Sequence, residues 1–407
     1  MTGEVLEIGC ISVMKINTFL IKYAEIGVKG KNRYKFEDIL CKRLRSRLRP
    51  LGQFEVRREY GRIFVDAHSE YDYDEAVLRM SQTFGITGIC PVWTVEDPTP
   101  EKLDAIVAQY FEEEYDDYDF SFKVRVRRIN KEFPVNSMEM DARLGGVLLD
   151  KYEDQGLHVD VHTPDIMVYV EIRKIAFIYS KVLPGPGGLP VGTNGRAISL
   201  LSGGIDSPVA TYMIAKRGVE MQAVYFNAPP YTSERALEKV EDLGRIVSHF
   251  AGPIKMHVVN FTELQLAIYD NCPHDELTII MKRYMFRVAE ELAKREEAEC
   301  IVTGESIGQV SSQTLFSLGV IDRAVECPVY RPCIGLDKQE IVDIAQKIGT
   351  YETSIQPYED CCTIFVAKHP VTKPTLEQIE TSEKKLEGII EPIYEKAIET
   401  AEVVWLR

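Results

Sequence analysis

The apolar and polar positions of residues 15–23 (KINTFLIKY) and 54–66 (FEVRREYGRIFVD) show alternation or β-branched and aromatic enrichment, which predicts strands. Between them a basic stretch, 32–49, carries helical periodicity. The pattern continues with a helix at YDEAVLRMSQTFG, a strand at ICPVWTVED, a helix over 101–114 and a strand at SFKVRVRRI. SMEMDARLGGVLLDKY predicts a further helix, and HVDVHT and IMVYVEIRKIAFIYSKV two strands that complete an α+β unit near Val182. Gly and Pro then crowd residues 183–195 (LPGPGGLPVGTNG), either a linker or an ordered loop. Beyond it, strands at 197–201, 221–226, 254–260, 300–303 and 328–330 alternate with helices, notably 233–250 and 278–297. That alternation predicts a parallel sheet with helices on both faces. A last helix is expected over 375–400.

Length changes this picture by dividing it: 407 residues suggest two or three domains. Hydrophobic residues at 45% and charged residues at 27% fit a soluble globular chain, and no apolar run reaches the roughly 18–20 residues of a membrane span. No membrane association is expected, and a cytoplasmic location is. The opening MTGEVLEIGCISV lacks a basic leader, and Met14 opens a cleaner strand pattern, so residues 1–13 read as an upstream extension. The nine cysteines include no CxxC pair, which gives zinc weak support; no metal site is expected. Most should be reduced and buried, with the vicinal Cys361–Cys362 standing apart.

A net charge of −15 argues against indiscriminate nucleic-acid binding. The average hides two basic clusters, KGKNRYKFEDILCKRLRSRLR from Lys29 and KVRVRRINK from Lys123. Each is either a solvated face or a phosphate-contacting surface.

The densest chemical signal is SGGIDSP, following the strand AISLL. Ligands of open parallel sheets bind beyond the carboxyl ends of the strands. Gly203 and Gly204 let backbone N–H groups approach phosphate, and a helix starting near Asp206 adds its positive end. Ser202 and Ser207 offer hydroxyls, and Pro208 suits a first helical turn. No GxxxxGK[ST] is present, which points away from a γ-phosphate kinase loop.

SGGIDS resembles the pyrophosphate-binding loop of ATP pyrophosphatases, which cleave ATP between the α- and β-phosphates and adenylate a substrate. Together with MKINTFLIKYAEIGVKGKNR, INKEFPVNSMEMDARLGG, TGESIGQVSSQTL and YEDCCTIF, in that order, the chain from Met14 onward is similar to the tRNA uracil 4-sulfurtransferase family. The resemblance implies an α/β pyrophosphatase domain with a parallel sheet, of the adenine nucleotide alpha hydrolase type, preceded by α+β ferredoxin-like and THUMP domains. The expected bounds are 14–76, 77–182 and 196–407, with 183–195 as linker or loop. A short form lacking a rhodanese domain is expected, and without that domain a role in thiamine thiazole synthesis is disfavoured.

By the same resemblance, ATP (with associated Mg2+) meets Leu200, Leu201, Ser202, Gly203, Gly204, Ser207, Tyr225, Phe226, Lys282, Gly304 and Gln313. Asp206 is expected to position magnesium or pyrophosphate, and Lys338 to stabilise charge on the α-phosphate or the leaving pyrophosphate. A lysine at 282 supplies charge without arginine's fork. The family's sulfur-carrying cysteine falls on Cys361 or Cys362, with Cys362 preferred because a Cys-x-Ile pattern starts there. Sulfur would come from a partner cysteine desulfurase, and tRNA would rest on Lys29, Lys31, Arg33, Arg43, Arg47, Arg125, Arg127, Arg128 and Arg143. A homodimer stays open. The implied product is 4-thiouridine at tRNA position eight. The rival reading is an ATP-dependent amidating ligase acting on a small molecule, which leaves the basic front half and YEDCC without a role.

Overall fold

The computed structural model describes residues 17–59, 61–358 and 369–407. They fall into two compact units. Of these residues, one unit holds 17–24 with the described part of 44–81 and Ile86–Gly185, and the other holds Glu25–Arg43, Gln82–Gly85, 186–358 and 369–407.

The first unit is built on one sheet of nine strands. They are β1 (Thr18–Lys22), β2 (Phe54–Glu59), β3 (Arg62–Ala67), β4 (Gly88–Glu96), β5 (Ser121–Arg128), β6 (His158–Val159), β7 (Ile166–Ile172), β8 (Ile175–Tyr179) and β9 (Leu183–Pro184). Their order is β2-β3-β1-β4-β8-β7-β5-β6, with β9 on β4. The sheet does not break at residue 76: β4 pairs antiparallel with both β1 and β8. Pairing is antiparallel except where β5 meets β6 and β7. Helix α1 (Arg33–Leu48) is divided, Arg33–Arg43 belonging to the second unit, and the first unit's own helices are α2 (Tyr73–Ser81), α3 (Pro100–Glu114) and α4 (Ser137–Tyr152). The side chains of Thr99 and Asn136 cap α3 and α4, accepting from Lys102 N and Glu139 N. Leu103, Val107, Phe111, Leu144 and Leu148 from these helices pack with Val124, Val126, Val168 and Val170 of the sheet in one apolar core.

Two segments expected as single strands are hairpins. Residues 54–66 reverse at Gly61, whose φ of 75° a side chain would strain, and 166–182 reverses at Arg173–Lys174 between β7 and β8. HVDVHT pairs only over His158–Val159. The 183–195 stretch is ordered: Leu189 N donates to Lys216 O, and the N–H groups of Gly192, Thr193 and Asn194 all donate to Gly218 O.

The second unit carries β10 (Arg196–Leu200), α5 (Asp206–Ala215), β11 (Glu220–Asn227), α6 (Glu234–Ala251), β12 (Ile254–Asn260), α7 (Thr262–Asn271), α8 (Leu277–Arg295), β13 (Cys300–Val302), α9 (Leu315–Asp322), β14 (Val329–Tyr330), α10 (Lys338–Ile348) and α11 (Tyr351–Ser354). The sheet runs β14-β13-β10-β11-β12, all parallel. The helix expected over 375–400 is two, α12 (Leu376–Glu383) and α13 (Ile390–Glu399), separated by a turn with Gly388 at φ 77°. A strand not foreseen, β15 (Glu402–Leu406), then adds antiparallel to β12. Side chains alternate across the sheet. Ile198, Val224 and Phe226 enter a core with α7, α8, α12 and α13, while Ala197, Ala223 and Tyr225 enter one with α5, α6 and α10.

Among the described residues no helix is long and apolar enough to cross a membrane.

Candidate functional site

The carboxyl ends of β10, β11 and β13 open into a cavity of about 610 Å³. Leu200, Leu201, Tyr225 and Phe226 line it from the strands, and Ser202, Asp206 and Ser207 from the loop and first turn of α5. Thr278, Lys282, Met285 and Phe286 line it from α8, and Thr303, Gly304, Glu305 and Val310–Gln313 from the loop after β13.

The SGGIDS loop is held by its own serines. Ser207 Oγ accepts from Ser202 N at 2.8 Å and lies 3.0 Å from Ser202 Oγ, and Gly204 N donates to Ser202 Oγ at 3.3 Å. Below it, Ser199 Oγ and Thr211 Oγ1 meet at 2.7 Å in a buried pair that ties β10 to α5. Among the described residues, no side chain caps the amino end of α5. Its leading N–H groups and the positive end of its dipole therefore remain for an anion.

Asp206 is not a cap. Its Oδ1 accepts from Lys338 Nζ at 2.8 Å and its Oδ2 from Gln309 Nε2 at 3.0 Å. Lys338 opens α10, where Asp337 and Glu340 form a capping box that fixes the helix start. Three segments far apart in sequence thus meet on one carboxylate. Gly304 serves that convergence. A Cβ on it would lie 2.5 Å from Asp206 C and 2.6 Å from Ser207 N, so the loop after β13 can lie against the α5 start only with glycine there.

Lys282 lines the cavity but is not alone. Its Nζ lies 2.7 Å from Glu305 Oε1, while Glu305 Oε2 accepts from Arg331 Nε at 2.8 Å and Thr303 Oγ1 at 3.1 Å. Burial by itself would raise the Glu305 carboxyl, but the two cations overcome it and hold the group below the ordinary carboxylate range. Gln313 is 9% exposed, and its Oε1 has no hydrogen-bond partner among the described residues. An acceptor buried in that way, in the wall of a cavity, is suited to a ligand's donor.

The structure brings the sequence-expected residues Leu200, Leu201, Ser202, Asp206, Ser207, Tyr225, Phe226, Lys282, Gly304 and Gln313 to one cavity, with Lys338 on Asp206. Tyr225 and Phe226 leave opposite faces of β11, yet both reach the cavity at its end. Sequence reasoning missed Thr278, Met285 and Phe286. Their spacing from Lys282, four residues before and three and four after, puts them on one helix face and was the available signal. Glu305 and Gln309 lie inside the TGESIGQV motif, but nothing in its spacing shows which cations they meet. Cys361 and Cys362 lie outside the described residues. Elsewhere, burial pushes the thiols of Cys90, Cys272, Cys300 and Cys327 up to about 11 and that of Cys333 to about 12, far from thiolate at neutral pH.

The expected RNA-facing cations divide. Lys31, Arg125 and Arg127 are exposed. The others also have internal partners. Lys29 lies over the Phe36 ring, Arg33 pairs with Glu37 at 2.8 Å and Arg43 donates to Val191 O at 3.3 Å. Arg47 donates to Arg79 O, Arg128 to Phe133 O, and Arg143 is clamped by Asp104 and Glu101. Lys35, Lys42 and Arg49 of the same basic run are exposed instead.

Three family models match the chain in order: the ThiI ferredoxin-like domain over residues 18–90, the THUMP domain over 99–181 and Thiamine biosynthesis protein (ThiI) over 192–387. A protein named probable tRNA sulfurtransferase from Lachnospira eligens is 56% identical over 388 residues, covering 95% of this chain and 98% of the relative. One of the same name from Agathobacter rectalis is 55% identical over the same shares. Among solved structures, a 4-thiouridine synthetase–RNA complex with bound ATP is 36% identical, with a TM-score of 0.86 over 97% of this chain and 100% of that one. The uncapped helix end over a serine-glycine loop, the carboxylate shared by three segments and these relatives along nearly the whole length place the chain in the tRNA sulfurtransferase (ThiI) family.

Proposed function

We propose that the chain is an ATP-dependent tRNA sulfurtransferase that binds ATP in the cavity between β10, β11, α8 and the loop after β13. The observation that carries this is the bare amino end of α5 opening, beside the Asp206–Lys338 pair, into a cavity with an apolar floor. Leu200, Phe226, Met285 and Phe286 suit a purine, the Gln313 amide suits a base edge, and the uncapped amino end of α5 suits phosphates. Uracil O4 of a tRNA uridine, at position eight by the family resemblance, attacks the α-phosphorus and expels pyrophosphate. Lys338, released from Asp206, would then stabilise charge on the phosphates.

Mg2+ would come with ATP. Asp206 is a hard oxygen donor suited to it, and among the described residues no cluster of three or more His, Cys, Asp or Glu side chains is placed to hold a metal alone. The ion would neutralise phosphate charge.

Sulfur then replaces oxygen. A terminal persulfide sulfur on Cys361 or Cys362 attacks C4, AMP leaves with the original O4, and cleavage of the remaining S–S bond by a second thiol leaves 4-thiouridine. The high thiol values of the buried cysteines support assigning this role to the vicinal pair. A cysteine desulfurase as donor and a cytoplasmic location belong to the same reading. So does phosphate contact by Lys31, Arg125 and Arg127.

The test is incubation of the full chain with unmodified tRNA, ATP, Mg2+, cysteine and a desulfurase, scoring 4-thiouridine by absorbance and mass. Product should form with wild type, vanish with Asp206→Ala and fall sharply with Cys361→Ser or Cys362→Ser. Wild-type yield from both cysteine variants would refute the sulfur relay. Pyrophosphate release that ignores tRNA would favour the small-molecule ligase instead.

A further inference from the structure

Glu305 carries two cations, and only one of them lines the cavity. Lys282 Nζ sits on Oε1 at 2.7 Å and Arg331 Nε on Oε2 at 2.8 Å. Arg331 lies behind the wall, its side chain 8% exposed, and reaches onward to Asp322 through both terminal nitrogens at 3.1 and 2.5 Å. Thr303 Oγ1 adds a third donor to Glu305 at 3.1 Å.

A buried carboxylate with a single counter-cation holds it firmly, because departure would strand an unpaired charge in a poorly solvated site. Glu305 is 7% exposed and keeps a second cation behind it; Arg331 is shared with Asp322, but that carboxylate is 42% exposed and is solvated by water. Lys282 can leave without stranding it, since Arg331 and Thr303 stay on Oε2. A lysine suits such a move: its ammonium is a point charge on a flexible stem, whereas an arginine would be pinned by its planar fork.

We propose that Lys282 is a transferable cation, resting on Glu305 in the nucleotide-free chain and passing to an anionic oxygen of the bound nucleotide, with Glu305 and Arg331 as the positioning residues that make the transfer possible. The inference rests on the reading of this cavity as an ATP site. It assigns Glu305 a place beside the nucleotide as a cradle for the resting ammonium. Arg331 acts through Lys282 and touches no substrate.

The experiment is ATP binding by calorimetry to the full-length chain as wild type, Lys282→Gln, Arg331→Gln, Arg331→Lys and the double variant Lys282→Gln/Arg331→Gln. Without Arg331, Lys282 becomes the sole counter-cation of Glu305, and ATP binding should weaken about tenfold. Arg331→Lys, which still neutralises Glu305, should restore most of that. In the Lys282→Gln background Arg331→Gln should add nothing, since the cation it releases is gone. Equal weakening in both backgrounds, or wild-type affinity of Arg331→Gln, would overturn the transfer. If thermal unfolding shows that Arg331→Gln does not fold, Glu305→Gln decides. It frees Lys282, so binding should be unchanged or tighter, and tenfold weakening would sink the idea. A wild type that fails to bind ATP refutes the ATP reading itself; a wild type that binds, with additive variants, refutes only the transfer.

Discussion

Gly304 shows how little space separates the two halves of the site. An alanine there would press its methyl group into the Asp206 and Ser207 backbone at 2.5–2.6 Å, and neither neighbour is a flexible side-chain tip. Gly304→Ala should therefore part the loops, costing about 1–3 kcal/mol of stability and most ATP affinity. Thermal unfolding and ATP titration check both. Asp206 makes a second prediction. Its two oxygens hold Lys338 and Gln309, so Lys338→Gln should slow pyrophosphate release in the tRNA-dependent reaction by about tenfold to a hundredfold while leaving the melting temperature within a few degrees. Lys338 is half exposed, and its removal opens no cavity.

Helix α8 is where element and site meet. Its cavity face carries Thr278, Lys282, Met285 and Phe286, and Arg283 and Arg287 anchor it to α12. Arg283 is 1% exposed and gives Nε and a terminal nitrogen to Glu383 at 2.8 and 3.0 Å, while Arg287 adds a third bond at 2.8 Å. Glu383→Gln should cost about 3–5 kcal/mol in denaturant unfolding, because it leaves a buried guanidinium with only the half-exposed Glu380 at 4.0 Å as its anion. Burial alone would raise the Glu383 carboxyl, but Arg283 and Arg287 hold it below the ordinary range. A depressed folded value means that this contribution is complete above the unfolded glutamate value of about 4.3 and is lost as pH falls through the folded one. Unfolding free energy measured below about pH 4.3 should accordingly fall more steeply for wild type than for Glu383→Gln.

For the whole molecule, a net charge of −15 coexists with exposed cations at Lys31, Lys35, Lys42, Arg125 and Arg127. Local contacts, rather than the average field, must therefore carry tRNA binding. Reversing Arg125 and Arg127 to Glu should weaken tRNA binding at least tenfold, with ATP affinity unchanged. The slope of log affinity against log salt should fall by about 1 for each phosphate that is no longer neutralised. Filter binding across a salt series would show it, and an unaltered slope would count against β5 as a phosphate-contacting strand.

The order of strands and helices, the phosphate-binding loop and ten residues of the cavity wall could be read from the chain, because each is written in local signals: period two, period 3.6, and glycines beside hydroxyls after a strand. Hairpins such as β7–β8 could not, since alternation runs through a two-residue reversal unmarked by Gly or Pro. Nor could β15, five residues whose pairing with β12 depends on a partner some 150 positions earlier. The same limit applies to charge. Lys29, Arg33 and Arg43 read alike with Lys31 and Arg125 in the basic runs, yet a ring, a carboxylate and a carbonyl occupy the first three. Sequence determined which chemistry the chain carries. Tertiary structure alone decided which charges remain available and that Glu305 holds two cations at once, because those outcomes depend on groups brought together across long stretches of chain.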